Sequence, residues 1–191
     1  MNESVQSAIL GHATRLFGQK GYGSTSVREL VEAAGVSKPT LYYHFGSKEA
    51  LFLATAELHL HHLDRLIQDA IAASDTLEGQ LESLFAAKLA FAGTQPDVVR
   101  FLVFFLHQVD HGQPEIDLMS VDATLVRYLG EAFYLALERK EIATDADIPV
   151  AVVSFLGIIR GWSMAAFHGA PLPPDIHRTV VRHFLNGIVP R

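Results

Sequence analysis

The sequence predicts an all-α protein, and three features of the chain support that fold class. Apolar residues recur at the three- and four-residue intervals that place them on one face of a helix. No stretch shows the alternation of apolar and polar residues that is typical of a β-strand. Glycine, proline and short polar residues interrupt the helical pattern often enough to separate about nine helices.

The first helix is marked by four apolar residues that share one face: Ile9, Ala13, Leu16 and Phe17. Gly21 and Gly23 predict its end, because glycine adopts the backbone conformations that follow a helix at little cost. A second helix is expected to begin at Val27, since Ser26 and Glu29 have the spacing of a capping box.

Two further helices follow after very short connections. Gly35 is placed to end the second helix, and a single residue separates it from Ser37, the expected cap of the third. Pro39 falls in the first turn of that helix, where its missing N–H is not needed. Gly46 predicts that the third helix is short, and the fourth is expected over 48–73.

The remaining chain is predicted to be largely helical. Breaks that contain glycine, proline or polar residues separate the expected helices, at 76–92, 97–108, 116–140, 146–168 and 174–187. We place a domain boundary inside the fourth helix, near residue 50. It divides the chain into an N-terminal domain, residues 1–50, and a C-terminal helical domain, residues 51–191.

The second and third helices, joined by a tight glycine-containing turn, have the arrangement of a helix-turn-helix motif. In such a motif the second helix enters the DNA major groove, so its outer surface carries hydrogen-bonding groups. Leu41 and Phe45 stand four residues apart and are expected to face inward. Five other side chains are left to point elsewhere: Lys38, Thr40, Tyr42, Tyr43 and His44.

The segment TSVRELVEAAGVSKPTLYYHFGSKEALF resembles the DNA-binding region of TetR-type transcriptional repressors. That family has a similar short helix ending in Ala-Gly-Val-Ser, followed by Thr-Leu-Tyr and further aromatic residues before Ser-Lys-Glu. The resemblance covers residues 8–53, and Val31 departs from it, since the family usually has alanine there. It implies DNA contacts from nine residues: Thr25, Ser26, Arg28, Lys38, Thr40, Tyr42, Tyr43, His44 and Lys48.

The resemblance also implies the architecture and the activity of the whole chain. TetR-type proteins are all-helical homodimers with an N-terminal helix-turn-helix domain and a C-terminal domain that binds an effector and forms the dimer. Effector binding changes the spacing of the two DNA-reading heads. We therefore expect a repressor released from operator DNA by a small hydrophobic or aromatic effector. A dimeric DNA-binding module without a ligand is the nearest alternative.

Charge and composition agree with a DNA-binding segment in an otherwise acidic chain. The net charge is −6, but the first 50 residues hold five Lys and Arg against four Asp and Glu. Only this segment could approach a polyanion without strong repulsion. The absence of cysteine excludes disulfides, thiolate metal sites and cysteine catalysis, and it is compatible with the cytoplasm.

We expect neither a signal peptide nor a membrane partner. The N-terminal MNESVQSAIL lacks a basic segment followed by an apolar stretch. The longest apolar run that we identify in the sequence, 101–106, is far shorter than the ~18 residues that span a bilayer.

Aromatic residues after the N-terminal domain are candidates for lining an apolar effector pocket. We select Phe85, Phe101, Phe104, Phe105, His107, Phe133, Phe155 and Trp162. The alternative is that aromatic residues at helical spacing fill the core. By the resemblance, the last two helices form the dimer interface. Gly157, Gly161 and Ala165 would let helices approach closely there. The apolar contacts could come from Ile159, Trp162, Val180, Phe184 and Ile188.

Histidines support one competing hypothesis, a metal-binding helical sensor or enzyme. His59 and His62 share a helical face, and His107 and His111 stand four residues apart. These spacings can bind zinc, but no cysteine and no HExxH motif accompanies them. No arrangement of serine, histidine or Gly-rich sequence points to nucleophilic or phosphate chemistry, so we expect neither an enzyme nor a cofactor.

Overall fold

The computed structural model of the protein describes residues 4–107, 114 and 118–186, apart from the side chains of 104, 106, 107 and 118–122. Within these residues the chain forms nine helices and no β-strand. The helices are α1 (Val5–Lys20), α2 (Val27–Ala34), α3 (Lys38–Phe45), α4 (Lys48–Ala72), α5 (Leu77–Thr94), α6 (Pro96–His107), α7 (Leu118–Glu138), α8 (Ile148–Phe167) and α9 (Ile176–Leu185). The predicted all-α fold is confirmed.

The helices form two compact units. The first unit comprises Met1–His62 and Gln95–Leu118, so it contains α1, α2, α3, the beginning of α4, and α6. The second unit comprises Leu63–Thr94 and Met119–Arg191, with the rest of α4 and α5, α7, α8 and α9. Thus α6 belongs to the unit of the helix-turn-helix, although it follows α5 in the chain. The assignment of residues 51–191 to effector binding and dimerisation stays a prediction.

Aromatic rings form the core of the first unit. Phe17 of α1, Phe52 of α4, and Phe101 and Phe105 of α6 are each at most 2% exposed. The ring of Phe52 lies edge-on to Phe17, with centroids 5.1 Å apart, and 5.5 Å from that of Phe101. Buried aromatic rings contribute large apolar areas as well as favourable edge-to-face contacts. They therefore hold α1, α4 and α6 together.

Helices α1 and α6 approach each other closely at Gly18. A Cβ at this position would lie 2.9 Å from the backbone nitrogen of Phe101 and 3.0 Å from the carbonyl oxygen of Asp97. Both atoms belong to the backbone of α6, which cannot move aside as the end of a flexible side chain would. Glycine is therefore the residue that fits between the two helices here.

Phenylalanine rings also lie at the centre of the second unit. Phe133 and Phe155 are 0% exposed and both contact Phe184 of α9, at centroid distances of 6.2 and 5.2 Å. Phe85 of α5 lies 6.5 Å from Phe155. Ile159 is 1% exposed in the same core. Ile159, which we expected at a dimer interface, is therefore buried inside the unit, whereas Phe184 is half-buried and its place in an interface stays a prediction.

Polar groups fix the connection between α7 and α8 to the start of α5. The carboxylate of Glu141 accepts a 2.6 Å hydrogen bond from the backbone N–H of Leu77, and Arg139 donates to the carbonyl of Asp75. The first N–H groups of a helix lack partners within the helix, and a carboxylate there also interacts favourably with the helix dipole. Glu141 therefore caps α5 from a distant part of the chain.

The expectation that no segment is long and apolar enough to span a bilayer is wrong for α8. This helix has 20 residues and satisfies the length and composition of a membrane span. Helices in the cores of globular proteins pass the same criterion. In the most apolar 18-residue stretch of α8, 28% is buried. The buried side of α8 consists of Ile148, Ala151, Val152, Phe155, Leu156 and Ile159.

Candidate nucleic-acid interface

Two capped helices and a glycine turn build the helix-turn-helix. The hydroxyl of Ser26 accepts from the N–H of Glu29 at 3.2 Å, and the Glu29 carboxylate accepts from the N–H of Ser26 at 2.9 Å. Gly35 ends α2 with a φ of 64°, in the left-handed region that favours glycine. Ser37 caps α3 by accepting from the N–H of Thr40 at 3.2 Å. The predicted capping box and turn are confirmed.

Helix α3 has one buried side and one exposed side. Leu41 is 0% exposed, whereas Phe45 is only half-buried, so the predicted inward pair is confirmed fully for Leu41 alone. Tyr43 is 85% exposed and Tyr42 is 45% exposed. The half-buried ring of His44 lies 5.2 Å from that of Tyr43. The helix thus presents two phenol groups and an imidazole at consecutive positions.

The first turns of α2 and α3 carry other side chains that we expected to contact DNA. Lys38 is exposed, and the hydroxyl of half-buried Thr40 lies 2.8 Å from that of Ser37. Arg28 is exposed and forms a 2.7 Å ion pair with Glu32. Exposed ion pairs of this kind contribute little, so a DNA phosphate can compete for the guanidinium group.

An ion pair that the sequence analysis missed joins α1 to α2. The Nζ of Lys20, at the end of α1, lies 2.5 Å from a carboxylate oxygen of Glu29. Hydrogen bonds from Lys20, and from the backbone and hydroxyl of Ser26, lower the pKa of Glu29 to about 2. Glu29 therefore stays ionised and links the end of α1 to the start of α2. The capping-box pattern identified Glu29, but nothing local in the sequence indicated Lys20 as its partner.

Two of the expected DNA contacts have partners inside the protein. Thr25 is 1% exposed, and its hydroxyl donates to the carbonyl of Gly21 at 2.7 Å. The Nζ of Lys48 donates to the carbonyls of Tyr22 and Thr25, at 2.9 and 3.0 Å. A DNA contact from Thr25 stays a prediction. In the structure its hydroxyl is buried and bonded to Gly21. It stabilises the loop between α1 and α2.

The residues that we expected to line an effector pocket are divided between the two units. Phe101 and Phe105 lie in the core of the first unit. Four residues belong to the core of the second unit or pack against it: Phe85, Phe133, Phe155 and Trp162. The side chains of Phe104 and His107 lie outside the described residues. An effector pocket at these residues stays a prediction.

The histidines of α4 do not face a common site. His59 is 7% exposed and its Nε2 lies 2.7 Å from the hydroxyl of Thr14, whereas His62 is exposed. Among the residues that the structure describes, no three His, Cys, Asp or Glu side chains are placed to hold a metal ion. The other expected pair falls on the side chain of His107 and on His111, outside the described residues.

An all-α chain whose helix-turn-helix exposes hydrogen-bonding side chains on its second helix is typical of a DNA-binding protein. Residues 9–55 match the family model described as bacterial regulatory proteins, tetR family. The HTH-type transcriptional repressor ComR of Escherichia coli (strain K12) is 32% identical over 173 residues, which cover 87% of this chain and 81% of ComR. The chain therefore belongs to the tetR family of bacterial regulatory proteins, which confirms the resemblance.

Further relatives agree with this family and with its fold. The HTH-type transcriptional activator FasR of Mycolicibacterium smegmatis is 38% identical over 83 residues, covering 44% of this chain and 36% of FasR. A TetR family regulator from Marinobacter aquaeolei VT8 has a TM-score of 0.78 at 18% identity, covering 98% of this chain and 96% of that one. FadR from Bacillus subtilis, solved in complex with stearoyl-CoA, has a TM-score of 0.74 at 16% identity, covering 95% and 98%.

Proposed function

We propose that the protein is a homodimeric repressor that binds operator DNA through α2 and α3 and leaves it when a small hydrophobic or aromatic effector binds. The exposed surface of α3 is the observation that supports DNA binding most directly. Lys38, Tyr42 and Tyr43 are exposed on one short helix, and a DNA groove supplies phosphates and base edges for such groups. A protein that binds chromosomal DNA acts in the cytoplasm, which is the compartment that we propose.

The proposed DNA contacts are Ser26, Arg28, Lys38, Thr40, Tyr42, Tyr43 and His44. Arg28 and Lys38 supply positive charge for phosphates, and the tyrosine hydroxyls suit phosphate oxygens or base edges. Thr40 can also touch a thymine methyl group. Thr25 and Lys48 stay predicted DNA contacts. In the structure the side chain of Thr25 is buried, and the ammonium group of Lys48 donates to two carbonyls of the loop between α1 and α2.

DNA binding is tested with double-stranded fragments that flank the protein's own gene, at two salt concentrations. We expect tight binding to one fragment that weakens with salt, because phosphate contacts release counterions. Tyr43→Ala should lower this affinity by at least about tenfold, the cost of one good groove contact. Tyr134→Ala removes an exposed tyrosine from the second unit and is the matched control. Equal affinity of the two variants would exclude a role for Tyr43 in reading DNA.

Repression, rather than activation, is supported by comparing two relatives, because the one named a repressor aligns with this chain over more of its own length. ComR, named a repressor, is covered over 81% of its chain, whereas FasR, named an activator, is covered over 36%. We expect the purified protein to lower transcription in vitro from a promoter on the bound fragment. An increase in transcript would reverse the proposed sign while leaving DNA binding intact.

Dimerisation through α8 and α9 is supported by the outer side of α8. Val150 and Val153 are 60% and 66% exposed, and Gly157 and Gly161 continue the same side of the helix. A Cβ built at either glycine has no atom within 4 Å, so another helix could approach closely. An apolar stripe of this kind is typical of an interaction surface, and DNA half-sites are read by two-fold symmetric dimers. We propose that a second copy covers it.

We propose that the effector binds the second unit and acts by equilibrium coupling. In one conformer of the dimer the spacing of the two DNA-reading heads does not fit the operator. An effector that binds this conformer more tightly than the DNA-bound conformer lowers operator affinity by the ratio of its two affinities. The rings of Phe85, Phe133, Phe155 and Trp162 support an apolar ligand. FadR of Bacillus subtilis, which has the same fold, was solved with stearoyl-CoA, and this supports an acyl compound as the first candidate.

Trp162 provides a test of effector binding, since the chain contains one tryptophan. We expect a hydrophobic or aromatic ligand to change the tryptophan emission and to weaken operator binding over the same concentration range. Stearoyl-CoA is the first probe, and coenzyme A without the acyl chain is its control. If a broad set of such compounds changed neither signal, a DNA-binding dimer without an effector would be the better description.

A further inference from the structure

A hydroxyl group on α8 is buried without a hydrogen-bond partner. Among the side chains that the structure describes, the Oγ of Ser163 is the buried polar atom that lacks one. Buried polar groups in folded proteins are hydrogen-bonded with few exceptions, since burial without a partner loses the bonds to water and gains none. An exception points to strain, a bound water or a ligand. Ser163 lies within a regular helix and its φ is not positive, so backbone strain does not explain it.

The helix itself does not use this hydroxyl. Serine and threonine hydroxyls in helices commonly donate to the carbonyl four residues earlier. Three threonines of this chain form that bond, at 2.7–2.8 Å: Thr14, Thr55 and Thr94. Ser163 stands in the same relation to the carbonyl of Ile159 and forms no bond with it. The O–H donor and the oxygen lone pairs of Ser163 are therefore open to a molecule that is not part of the chain.

Ser163 continues the side of α8 that faces the core of the second unit. It follows Phe155 and Ile159 by eight and four residues, and these two are 0% and 1% exposed. Residues at such intervals lie on one side of a helix. The preceding residue, Trp162, packs against the same core, and each residue of 162–167 is half-buried. The hydroxyl is thus a polar group on the otherwise apolar side of α8.

We propose that Ser163 binds a neutral oxygen of the effector, which is then an apolar molecule with a carbonyl or hydroxyl group. A serine hydroxyl can donate to a carbonyl oxygen and can accept from an alcohol. One neutral hydroxyl does not offset the cost of moving a charge from water into apolar surroundings, so a neutral oxygen fits better than a carboxylate. The thioester carbonyl of an acyl compound has this chemistry. The inference rests on the proposed effector binding in the second unit.

Octanophenone and octylbenzene test the hydrogen bond, because they differ only in a carbonyl group that replaces a methylene. Equilibrium dialysis gives their dissociation constants. Ser163→Ala should weaken octanophenone binding about tenfold, since the carbonyl is left buried without a partner, and should leave octylbenzene binding unchanged. Ser83→Ala, at a half-buried serine of α5 in the same unit, should change neither. Equal octanophenone binding by the wild type and Ser163→Ala, or none by the wild type, would overturn the inference.

Thermal unfolding of the free protein tests the unpartnered hydroxyl without any ligand. Alanine removes the desolvated polar group, so Ser163→Ala should unfold about 2–4 °C above Ser83→Ala. The control has the same gain in helix propensity. An unfolding temperature no higher than that of Ser83→Ala would show that a water or a protein group already bonds the hydroxyl, which would also overturn the inference.

Operator binding separates this inference from the proposed function. If octanophenone weakened operator binding equally in the wild type and in Ser163→Ala, the proposed function would stand and the inference would be wrong. If octanophenone bound through Ser163 and left operator affinity unchanged, the inference would stand and the proposed coupling would be wrong.

Discussion

His59 is a buried titratable side chain that joins α4 to α1. The hydroxyl of Thr14 donates to the carbonyl of Leu10 at 2.8 Å, so its oxygen accepts from the Nε2–H of His59 at 2.7 Å. The imidazole also lies 5.7 Å from the ring of Phe101. Burial, with a smaller effect from His62, lowers the pKa of His59 to about 4. The spacing of His59 and His62 is compatible with metal binding, but in the structure the imidazole of His59 forms an internal hydrogen bond.

The lowered pKa of His59 predicts that the protein loses stability in mild acid. The ordinary histidine pKa is 6.5, so between this pH and about 4 the unfolded chain binds a proton that the folded protein does not. The free energy of unfolding should therefore fall as the pH falls through this window, by at most about 1.4 kcal/mol per pH unit.

The His59→Gln variant isolates this contribution, because glutamine keeps an N–H donor for Thr14 and does not titrate. We expect its urea unfolding to depend less on pH than that of the wild type between the two pKa values. The other histidines are common to both proteins, so the difference reports His59. Identical pH dependence in the two proteins would contradict the lowered pKa.

The contact between α1 and α6 shows how one glycine sets the distance between two elements. Glycine is unfavourable inside a helix by about 1 kcal/mol relative to alanine. Gly18 nevertheless lies in α1, where the backbone of α6 leaves no room for a Cβ. Gly11, on the same helix, is exposed and has no neighbouring atom within 4 Å of a built Cβ. Both glycines lie within α1, Gly11 in its middle and Gly18 in its last turn, and only Gly18 has a close tertiary contact.

Substitution of these two glycines by alanine should have opposite effects. Gly11→Ala should raise the free energy of unfolding by up to about 1 kcal/mol, through helix propensity. Gly18→Ala should lower it by about 1–3 kcal/mol, because the added methyl group forces α1 and α6 apart. Urea denaturation measures both. If Gly18→Ala were as stable as Gly11→Ala, the close approach of α1 and α6 would be wrong.

At the scale of the whole molecule, the apolar composition of α8 bears on how the protein assembles. One side of this helix is buried in the second unit, and Val150 and Val153 leave the other side apolar and exposed. A membrane and a second copy of the chain are both apolar enough to cover such a surface. Membership of a family of DNA-binding regulators favours the second copy.

Gly157→Arg should convert the proposed dimer to a monomer. The added side chain meets no atom of its own chain within 4 Å at Cβ, so the fold should tolerate it, whereas a charge inside an apolar interface carries a large desolvation cost. Light scattering of the purified protein measures its mass. Gly11→Arg is the control, because it makes the same change at an exposed glycine of α1. A dimeric Gly157→Arg variant would place the interface elsewhere.

Local signals in the sequence were sufficient to predict the helices and the helix-turn-helix. Ser26, Gly35 and Ser37 act within a few residues of their own positions, through caps and backbone conformation, so their effects can be read without the fold. The outward position of Tyr43 also followed from the inward face of α3, which Leu41 marks. These parts of the candidate site agree with what the sequence predicted.

Tertiary structure alone decided which distant groups meet. In α4 the apolar Leu58 is 44% exposed, while its polar neighbour His59 is buried against Thr14. The partners of Lys48 are backbone carbonyls, which carry no signal in the sequence. Periodicity identifies an apolar face, but it does not identify the element that covers this face. The energy of a polar group in turn depends on the partners and the burial that folding brings to it.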